Sequence, residues 1–392
     1  MKSCGVVAEY NPFHNGHRFQ LQQAREQSGA DVMVVSMSGN FTQRGEPAIY
    51  DKWLRARMAL ENGADLVLEQ SVLGSVQASD FFAKANVRLL HQMNCDAISF
   101  GAENGTTSEF SELAEKLVAS ADQIDQHFQS SRNDGSTYAA QMAEAIEATI
   151  GKTAIRMNEP NNQLALSYLK ENLLYSKPMQ PVVIQRKGAG HNDQSGDTSK
   201  QASGTYLRTL LLNQEYANLG LWVPDASRLM QEKAVSWDTW WPYLKYQIVL
   251  KTPDQLREIY QMEEGIEFRL KKNILEAETF TTFIESVKSK RWSWVRLQRL
   301  CVYILLGITR EEAVMYFKEN QPVRILGFTA KGRAYLKQIK NDETTFVTNM
   351  NKFTAGKLAI EIRSDAIYTL VMVKNRISGV RQLLFLRLPN FS

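Results

Sequence analysis

The chain has 392 residues, of which 44% are hydrophobic and 10% aromatic. This composition excludes a disordered, fibrous or collagen-like protein, and the length predicts two or three domains at roughly 100–200 residues each. The formal net charge of +4 is uneven: residues 1–240 contain 21 basic and 27 acidic side chains, and residues 241–392 contain 25 and 15. The basic second part is typical of a surface that binds a polyanion, or of a solvated Lys/Arg face on helices.

The cysteines and the apolar segments predict a soluble, cytoplasmic protein. Cys4, Cys95 and Cys301 form no CxxC spacing, which argues against a disulfide framework or a zinc ribbon. Glu9 and Pro12 interrupt the first residues before a secretory apolar region could form. No apolar run approaches the ~18 residues that a membrane span needs, so we expect no membrane association.

Short apolar segments alternate with helical ones over the first part of the chain. Strands are predicted at Cys4–Glu9, Asp31–Ser36, Asp65–Glu69, Asp96–Phe100 and Pro181–Arg186. Helices are predicted at His17–Gln27, Lys52–Asn62, Ala78–Met93, Ser108–Phe128, Tyr138–Ile150, Gln163–Asn172 and Gly204–Leu212. Strands separated by helices of this length indicate βαβ units, so we predict an α/β domain with a parallel sheet over residues 1–224. A Gly/Ser/Asp-rich loop at Lys187–Ala202 is expected to face a ligand.

The second part, residues 225–392, is predicted to form a mainly helical domain. Its helices are expected at Trp237–Lys251, Pro253–Lys272, Thr279–Ser289, Trp294–Leu306 and Arg310–Lys318. Aromatic residues recur in it near helical spacing, which is typical of a core and compatible with base stacking: Trp237, Trp240, Trp241, Trp292 and Trp294.

The segment between the first strand and the first helix concentrates groups that bind anions. Residues 9–17 read EYNPFHNGH, where Pro12 ends the extended segment before the helix. The free N–H groups of a helix N-terminus bind anions, and Gly16 lets a phosphate or base approach the backbone. His14 and His17 lie one helical turn apart and can donate to phosphate oxygens as charge builds on phosphorus. Metal ligation and simple solvent exposure are the alternatives for these histidines.

A second anion-binding pattern opens the helix predicted at Gly204. Ser203 and Thr205 can cap this helix while their hydroxyl and N–H groups meet phosphate oxygens. Arg208, one turn further, supplies a permanent positive charge. The alternative is an ordinary N-cap followed by a solvent-facing arginine.

Both patterns resemble signatures of the HIGH-type nucleotidyltransferase superfamily, whose members activate substrates with nucleoside triphosphates. The turn is similar to G-x-F-D-P-x-H-x-G-H, with Asn11 where many members have Asp. Gln201–Arg208 is similar to I-S-[ST]-T-x-I-R. The resemblance implies a Rossmann-like nucleotidyltransferase domain at residues 1–224.

Longer motifs resemble one family of this superfamily, the tRNA(Met) cytidine acetate ligases. They are Val7–His17, Met37–Ala48, Lys52–Leu60, Gly63–Glu69, Phe100–Glu103, Pro160–Leu164 and Arg186–Asn192, with looser matches at Arg296–Ile308 and Val323–Phe328. Gln70-Ser71 and Ala102 depart from the family pattern without removing a phosphate or histidine contact.

The resemblance implies a reaction in two steps. Acetate attacks the α-phosphate of ATP to give acetyl-adenylate, and the acetyl group then passes to N4 of the wobble cytidine of elongator tRNA(Met). ATP is a substrate, accompanied by Mg²⁺, and acetyl-CoA is not needed. Whether protein side chains or only the triphosphate hold the Mg²⁺ stays open, as does the oligomeric state.

The resemblance also implies site residues. His14, His17 and Arg208 are the expected catalytic groups. The expected ATP contacts are Val7, Ala8, Glu9, Tyr10, Asn11, Pro12, Phe13, His14, Asn15, Gly16, His17, Arg18, Phe19, Gln20, Gly101, Asn162, Arg186, Ser203 and Thr205. Gly101 could instead be a turn glycine and Asn162 an N-cap. Arg44 and Lys52 are candidates for holding acetate or receiving the cytosine.

The basic part of the chain suggests where an RNA would bind. The expected contacts to tRNA phosphates are Lys288, Lys290, Arg291, Arg296 and Arg299. A small-molecule adenylyl- or cytidylyltransferase of the same superfamily is the alternative function, and a non-catalytic RNA-binding module is the third. The long basic extension favours a macromolecular acceptor, and intact His14, His17 and Arg208 argue against a module without catalysis.

Overall fold

One mostly parallel sheet organises the chain. The computed structural model describes residues 1–130, 138–186, 202–341, 343–350 and 352–372, with residues 138–140 and 353 described by their backbone alone. Within this part the strands are β1 (Ser3–Ala8), β2 (Val32–Ser38), β3 (Leu66–Gln70), β4 (Ala97–Ala102), β5 (Gln180–Gln185), β6 (Val323–Phe328) and β7 (Phe346–Val347). They form a seven-stranded sheet in the order β5-β4-β1-β2-β3-β6-β7.

Helices cover both faces and both ends of this sheet. In the first part they are α1 (Asn15–Ser28), α2 (Lys52–Glu61), α3 (Val72–Ser75), α4 (Ser79–Gln92), α5 (Thr107–Ala119), α6 (Ala121–Ser130), α7 (Tyr138–Ile150), α8 (Pro160–Asn172), α9 (Gly204–Leu212) and α10 (Leu219–Trp222). Further along they are α11 (Ala226–Met230), α12 (Trp237–Leu250), α13 (Pro253–Arg257), α14 (Ile266–Asn273), α15 (Phe280–Val287), α16 (Trp294–Leu306), α17 (Arg310–Lys318), α18 (Ala330–Ile339), α19 (Lys352–Lys357) and α20 (Ala359–Thr369).

The predicted parallel α/β fold is confirmed. β1 to β5 pair with one another in parallel, and all their apolar β-branched residues except the partly buried Val7 are buried because helices cover the sheet. β1 lies between β2 and β4, so the strand order reverses there. In open α/β sheets the crevice at such a reversal, beyond the carboxyl ends of the strands, is where ligands bind.

Two strands from the second part of the chain extend this sheet, which the sequence analysis did not predict. β6 pairs antiparallel with β3, and β7 pairs parallel with β6. After the helices α11–α17 the chain therefore returns to the sheet that β1–β5 form. The division at residue 224 stays a prediction, and residues 323–347 lie in the sheet of the first part.

Two predicted helices are each divided in two. The helix expected at Ser108–Phe128 is interrupted at Ser120, between α5 and α6. The one expected at Pro253–Lys272 was wrong over its middle, because Gln261, Glu264 and Gly265 adopt positive φ angles that end one helix and begin the next.

Buried apolar side chains of the described residues form three clusters, one on each face of the sheet and one among the helices α12–α17. The tryptophans of the helical cluster are core residues, since Trp237, Trp240, Trp241 and Trp292 are buried in it and Trp294 packs against it. All three cysteines are buried and unpaired. In the described ranges no helix combines the length and apolarity that crossing a membrane requires. The loop expected at 187–202 lies outside the described residues except for Ala202.

Candidate functional site

A turn of residues 10–17, here called the histidine turn, connects β1 to α1 at the point where the strand order reverses. His14 is the N-cap of α1. Its Nδ1 accepts a hydrogen bond from the N–H of Gly16 at 3.1 Å, and Nδ1 of His17 accepts one from the N–H of His14 at 3.3 Å. This reciprocal arrangement is a capping box in which two imidazoles replace the usual hydroxyl and carboxylate.

The capping bonds fix the protonation state of both imidazoles. Because each Nδ1 accepts a backbone N–H, each neutral ring carries its proton on Nε2. Burial lowers the pKa of His14 to about 3 and the pKa of His17 well below its usual range, and the charge of Arg186 acts in the same direction on both. The two rings are stacked with their centroids 3.7 Å apart. The turn therefore presents two adjacent, uncharged Nε2–H donors at a helix N-terminus.

Aromatic and amide side chains hold the histidine turn in place. Tyr10 and Phe13 are buried with their ring centroids 4.8 Å apart, and Tyr10 lies 4.9 Å from the ring of His17. Oδ1 of Asn11 accepts the N–H of Ile49 at 2.7 Å. These side chains anchor the histidine turn to the protein interior by ring packing and by a hydrogen bond.

Helix α9 brings the second predicted pattern to the same turn. Ser203 caps it by accepting the N–H of Tyr206 at 3.1 Å. Arg208 donates to the carbonyl of Asn11 at 3.0 Å and to the hydroxyl of Thr205 at 3.2 Å, and lies 3.8 Å from a carboxylate oxygen of Glu46. The guanidinium of Arg208 therefore lies against the histidine turn, as the sequence analysis expects of a group that meets phosphate.

The ends of β4 and β5 add a second arginine. Arg186 follows β5, is exposed, and donates its backbone N–H to Ala102 at 3.0 Å. A Cβ on Gly101 would lie 3.5 Å from Cγ of Arg186, in ordinary contact. Gly101 lies inside β4 rather than in a turn, so the turn interpretation is wrong. Two arginines thus flank the two histidines.

Glu9, directly after β1, is a second carboxylate near the histidine turn, and the charge of Arg208 acts on it. It accepts the N–H of Gln43 at 2.7 Å. Burial raises the pKa of the Glu9 carboxyl, while the bond from Gln43 opposes that shift. Glu9 thereby joins β1 to the loop that follows β2.

The side chain of Asn162 forms hydrogen bonds with other residues of the chain. It is fully buried, accepts the N–H of Glu103 at 3.0 Å, and donates to Oδ1 of Asn104 at 2.8 Å and to the carbonyl of Arg156 at 3.1 Å. The N-cap of α8 is Glu159, so the N-cap interpretation of Asn162 is wrong. Asn162 instead fixes the loop beyond β4, and its contact with ATP stays a prediction.

Lys52 belongs to a buried ionic cluster, and its role toward acetate or cytosine stays a prediction. Its Nζ lies 2.6 Å from an oxygen of Glu69 and 2.6 Å from one of Asp365. Arg324 completes the cluster, 3.2 Å from Glu69 and 3.3 Å from Asp365. Lys52 is fully buried, and its ammonium group is ion-paired with both carboxylates of the ionic cluster (Lys52, Glu69, Arg324 and Asp365).

Arg55, which is not among the predicted site residues, links the strand ends behind the site. This buried guanidinium donates to the carbonyls of Glu9 at 2.6 Å, Ser38 at 3.2 Å and Gly39. It therefore joins the carboxyl ends of β1 and β2. Its signal in the sequence is a charged residue among the buried positions of α2.

The predicted RNA-binding residues form a basic segment, residues 288–299, at the start of α16. Lys288, Lys290 and Arg291 are exposed, whereas Arg296 lies 3.8 Å above the ring of Trp292 and Arg299 is half-buried.

The basic segment is joined to the site through Gly45. This glycine has a φ of +79° and packs so closely on the backbone at Arg299 that no Cβ would fit. The same loop carries Gln43 and Glu46, which contact Glu9 and Arg208. The C-terminal end of the basic segment therefore packs against the loop that contacts the site.

The metal interpretation of the histidines finds no support in the described residues, where no three His, Cys, Asp or Glu side chains group as metal ligands would. Each Nδ1 is already engaged with a backbone N–H.

Comparison with known proteins identifies the family. A model described as HIGH Nucleotidyl Transferase matches residues 1–382. Proteins named tRNA(Met) cytidine acetate ligase from Geobacillus sp. and Lactobacillus helveticus are 37% and 36% identical, covering 87% and 97% of this chain and 86% and 99% of theirs. The crystal structure of Thermotoga maritima TmcAL bound with alpha-thio ATP is similar with a TM-score of 0.84 and 26% identity, over 96% of each chain. The chain belongs to the HIGH nucleotidyltransferase family and, within it, to the tRNA(Met) cytidine acetate ligases.

Proposed function

We propose that this chain is an ATP-dependent ligase that forms acetyl-adenylate and transfers its acetyl group to N4 of the wobble cytidine of elongator tRNA(Met). The observation that carries the proposal is the histidine turn: two neutral Nε2–H donors at a helix N-terminus, flanked by Arg186 and Arg208. Such a site suits negative charge on phosphorus-bound oxygens. The relatives' names supply the substrate class, and the Thermotoga maritima neighbour binds an ATP analogue.

In the first step a carboxylate oxygen of acetate attacks the α-phosphorus of ATP. The bond from that phosphorus to the bridging oxygen breaks, and its electron pair leaves with pyrophosphate. His14 and His17 donate their Nε2–H groups to the oxygens that gain charge, without transferring a proton. Arg208, permanently charged and held by Asn11 and Thr205, stabilises the leaving pyrophosphate.

In the second step N4 of the cytidine attacks the acetyl carbonyl. The carbon–oxygen bond to AMP breaks, AMP leaves with its electron pair, and the nitrogen loses one proton. Because the acetyl group is activated by ATP, acetyl-CoA has no part in the reaction. We assign Mg²⁺ to the triphosphate oxygens, its usual partners in nucleotide sites, and place the reaction in the cytoplasm.

Incubation with ATP, labelled acetate and total tRNA tests this proposal by nucleoside analysis. We expect label in N4-acetylcytidine, no requirement for acetyl-CoA, and loss of label with His17→Ala. His127→Ala, an exposed histidine on α6, is the matched control and should retain activity. Pyrophosphate release that requires a small nucleotide-accepting substrate, with no label in tRNA, would instead identify a small-molecule nucleotidyltransferase.

A further inference from the structure

A cavity of about 370 Å³ lies beyond the carboxyl end of β3, apart from the histidine turn. It is bounded by α4, the end of α17, β6 and the start of α20, and all of its lining residues are described. This volume is in the range of small-ligand pockets. None of its lining residues has a part in the ATP site.

Aromatic side chains form one wall of the cavity. The rings of Tyr260 and Tyr316 lie 6.3 Å and 5.2 Å from that of Phe317. Phe81 lines the cavity from α4, and Phe81 and Phe317 are 57% and 41% exposed. Exposed rings at a cavity mouth offer faces on which a planar ligand can stack.

Buried polar groups line the same cavity. Gln70 and Arg324 are each only 4% exposed, and each has one side-chain nitrogen, Nε2 and Nη1, without a hydrogen-bond partner among the described residues. Buried donors are normally satisfied, so two in one cavity indicate a missing acceptor. Glu361, hydrogen-bonded to Ser71, adds a buried carboxyl to the lining.

Basic side chains of α4 lie at the cavity, while the buried carboxylates of Glu69 and Glu361 also line it. Lys84 and Arg88, on successive turns of α4, line the cavity together with Arg324. Arg88 donates to the side-chain oxygen of Asn320 at 2.7 Å, a neutral partner. These features fit a nucleotide. The cations can bind its phosphate, the aromatic rings can stack on its base, and the buried polar groups can bond the edge of that base.

A chain of hydrogen bonds joins the cavity to Glu9, the residue before the histidine turn. Nε2 of Gln77 donates to the hydroxyl of Tyr260 at 3.3 Å. The carbonyl of Gln77 accepts from Nε2 of Gln43 at 2.7 Å, and the N–H of Gln43 donates to Glu9 at 2.7 Å. Only two residues, Gln77 and Gln43, therefore separate the cavity wall from Glu9.

We propose, on the basis of the ligase function above, that this cavity binds one unstacked nucleotide of the RNA acceptor, next to the cytidine that is acetylated. The base stacks on Phe317 and reaches Gln70 and Arg324 with its hydrogen-bonding edge. Its phosphate lies at Lys84 and Arg88. RNA is recognised through bases splayed out of the stack in this way, and a bound neighbour would orient the reacting cytidine.

Variants at the cavity entrance test this without disturbing the buried ionic cluster. For Phe317→Ala and for Arg88→Gln we expect kcat/KM for tRNA to fall about tenfold, the effect of removing one stacking or phosphate interaction. Phe317→Tyr, which keeps the ring, should restore the rate. Acetate-dependent exchange of pyrophosphate into ATP should be unchanged in all of them. Lys337→Gln, an exposed lysine on α18, is the charge-matched control.

The outcomes separate this proposal from the ligase proposal. Unchanged kcat/KM and unchanged tRNA affinity in Phe317→Ala and Arg88→Gln would overturn the cavity assignment and leave the ligase in place. If the wild type acetylates no tRNA, the dissociation constant for tRNA is the measurement that tests the cavity assignment. Equal dissociation constants for the wild type and Phe317→Ala would then overturn it. Free nucleoside 5′-monophosphates should compete with tRNA at millimolar concentration. Binding of these monophosphates that depends on Phe317 but does not compete with tRNA would identify a free nucleotide as the occupant instead.

Discussion

The histidine turn and the ionic cluster both place polar groups at the carboxyl edge of the sheet, but they are assembled differently. The turn takes its functional atoms from residues 10–17, and its hydrogen bonds link His14, Gly16 and His17. The ionic cluster takes one side chain each from α2, β3, β6 and α20. One is local in sequence and the other spans most of the chain.

The two also differ in how their polar groups are engaged. Both histidines are partly exposed, and their Nε2–H groups are directed away from the capping bonds, so the turn keeps donors for a ligand. In the ionic cluster the carboxylates of Glu69 and Asp365 are each shared by Lys52 and Arg324. Short-range capping therefore prepares a binding site here, while long-range pairing joins β6 and α20 to the first part of the sheet.

Breaking the ionic cluster should have the largest effect. Lys52→Met leaves two carboxylates, Glu69 and Asp365, with Arg324 as their one remaining cation in a buried setting, and breaking a buried pair costs about 3–5 kcal/mol. Urea denaturation measures this as a lower free energy of unfolding. Lys170→Met, an exposed lysine on α8, is the control and should change little. A loss below about 1 kcal/mol, the value for exposed pairs, would show that the cluster does not stabilise the fold.

Removing one donor from the histidine turn should have a smaller effect on stability and a large one on catalysis. In His14→Asn the amide oxygen can still cap α1, whereas the Nε2–H is lost. We expect acetate-dependent pyrophosphate exchange to fall about 10²–10³-fold, as for the loss of one transition-state donor, with the unfolding transition nearly unchanged. His14→Ala, which removes both functions, is the comparison variant and should also destabilise by ~1 kcal/mol.

The pH dependence separates a neutral donor from a charged one. Because the pKa of His14 is lowered to about 3 in the folded chain, its imidazole stays neutral from pH 6 to 8. The ratio of wild-type to His14→Asn kcat/KM for ATP should therefore be constant over that range, since kcat/KM reports the free enzyme. A ratio that rises steadily as the pH falls toward 6 would show that the protonated imidazole is the active form.

The histidine turn could be predicted from sequence because its determinants are neighbours. Pro12, the helix start and the spacing of His14 and His17 are all readable within a few residues, and the parallel sheet follows from the alternation of short apolar segments with helices. Even there, the capping roles of the two imidazoles were not predicted. Serine, threonine and aspartate are the usual N-caps, so a histidine capping box has no common sequence signature.

The ionic cluster could not be predicted, because its pairs connect residues far apart in the chain. Lys52 looked like a ligand group since it follows the loop after β2, yet its partners Asp365 and Arg324 come from α20 and β6. The antiparallel pairing of β6 with β3 could not be predicted either, because the periodicity of a segment indicates a strand but not which strand it pairs with. The hydrogen bonds of Asn162 could not be predicted for the same reason, because its partners Glu103 and Asn104 lie in the loop after β4.

The smallest expected effect concerns the basic segment, which resembles neither region because its charges are largely solvated. Lys290 and Arg291 are exposed, so reversing them leaves the packing of Arg296 on Trp292 intact. We expect Lys290→Glu with Arg291→Glu to weaken tRNA binding about tenfold, with a salt dependence shallower by about 0.9 for each phosphate that is no longer neutralised. Pyrophosphate exchange should be unaffected, since adenylation needs no RNA. The control variant, Lys331→Glu with Arg333→Glu on α18, makes the same change in charge at another exposed site. If both pairs weaken tRNA binding equally, net charge attracts the RNA, and the position of the basic segment beside the Gly45 loop has no special role.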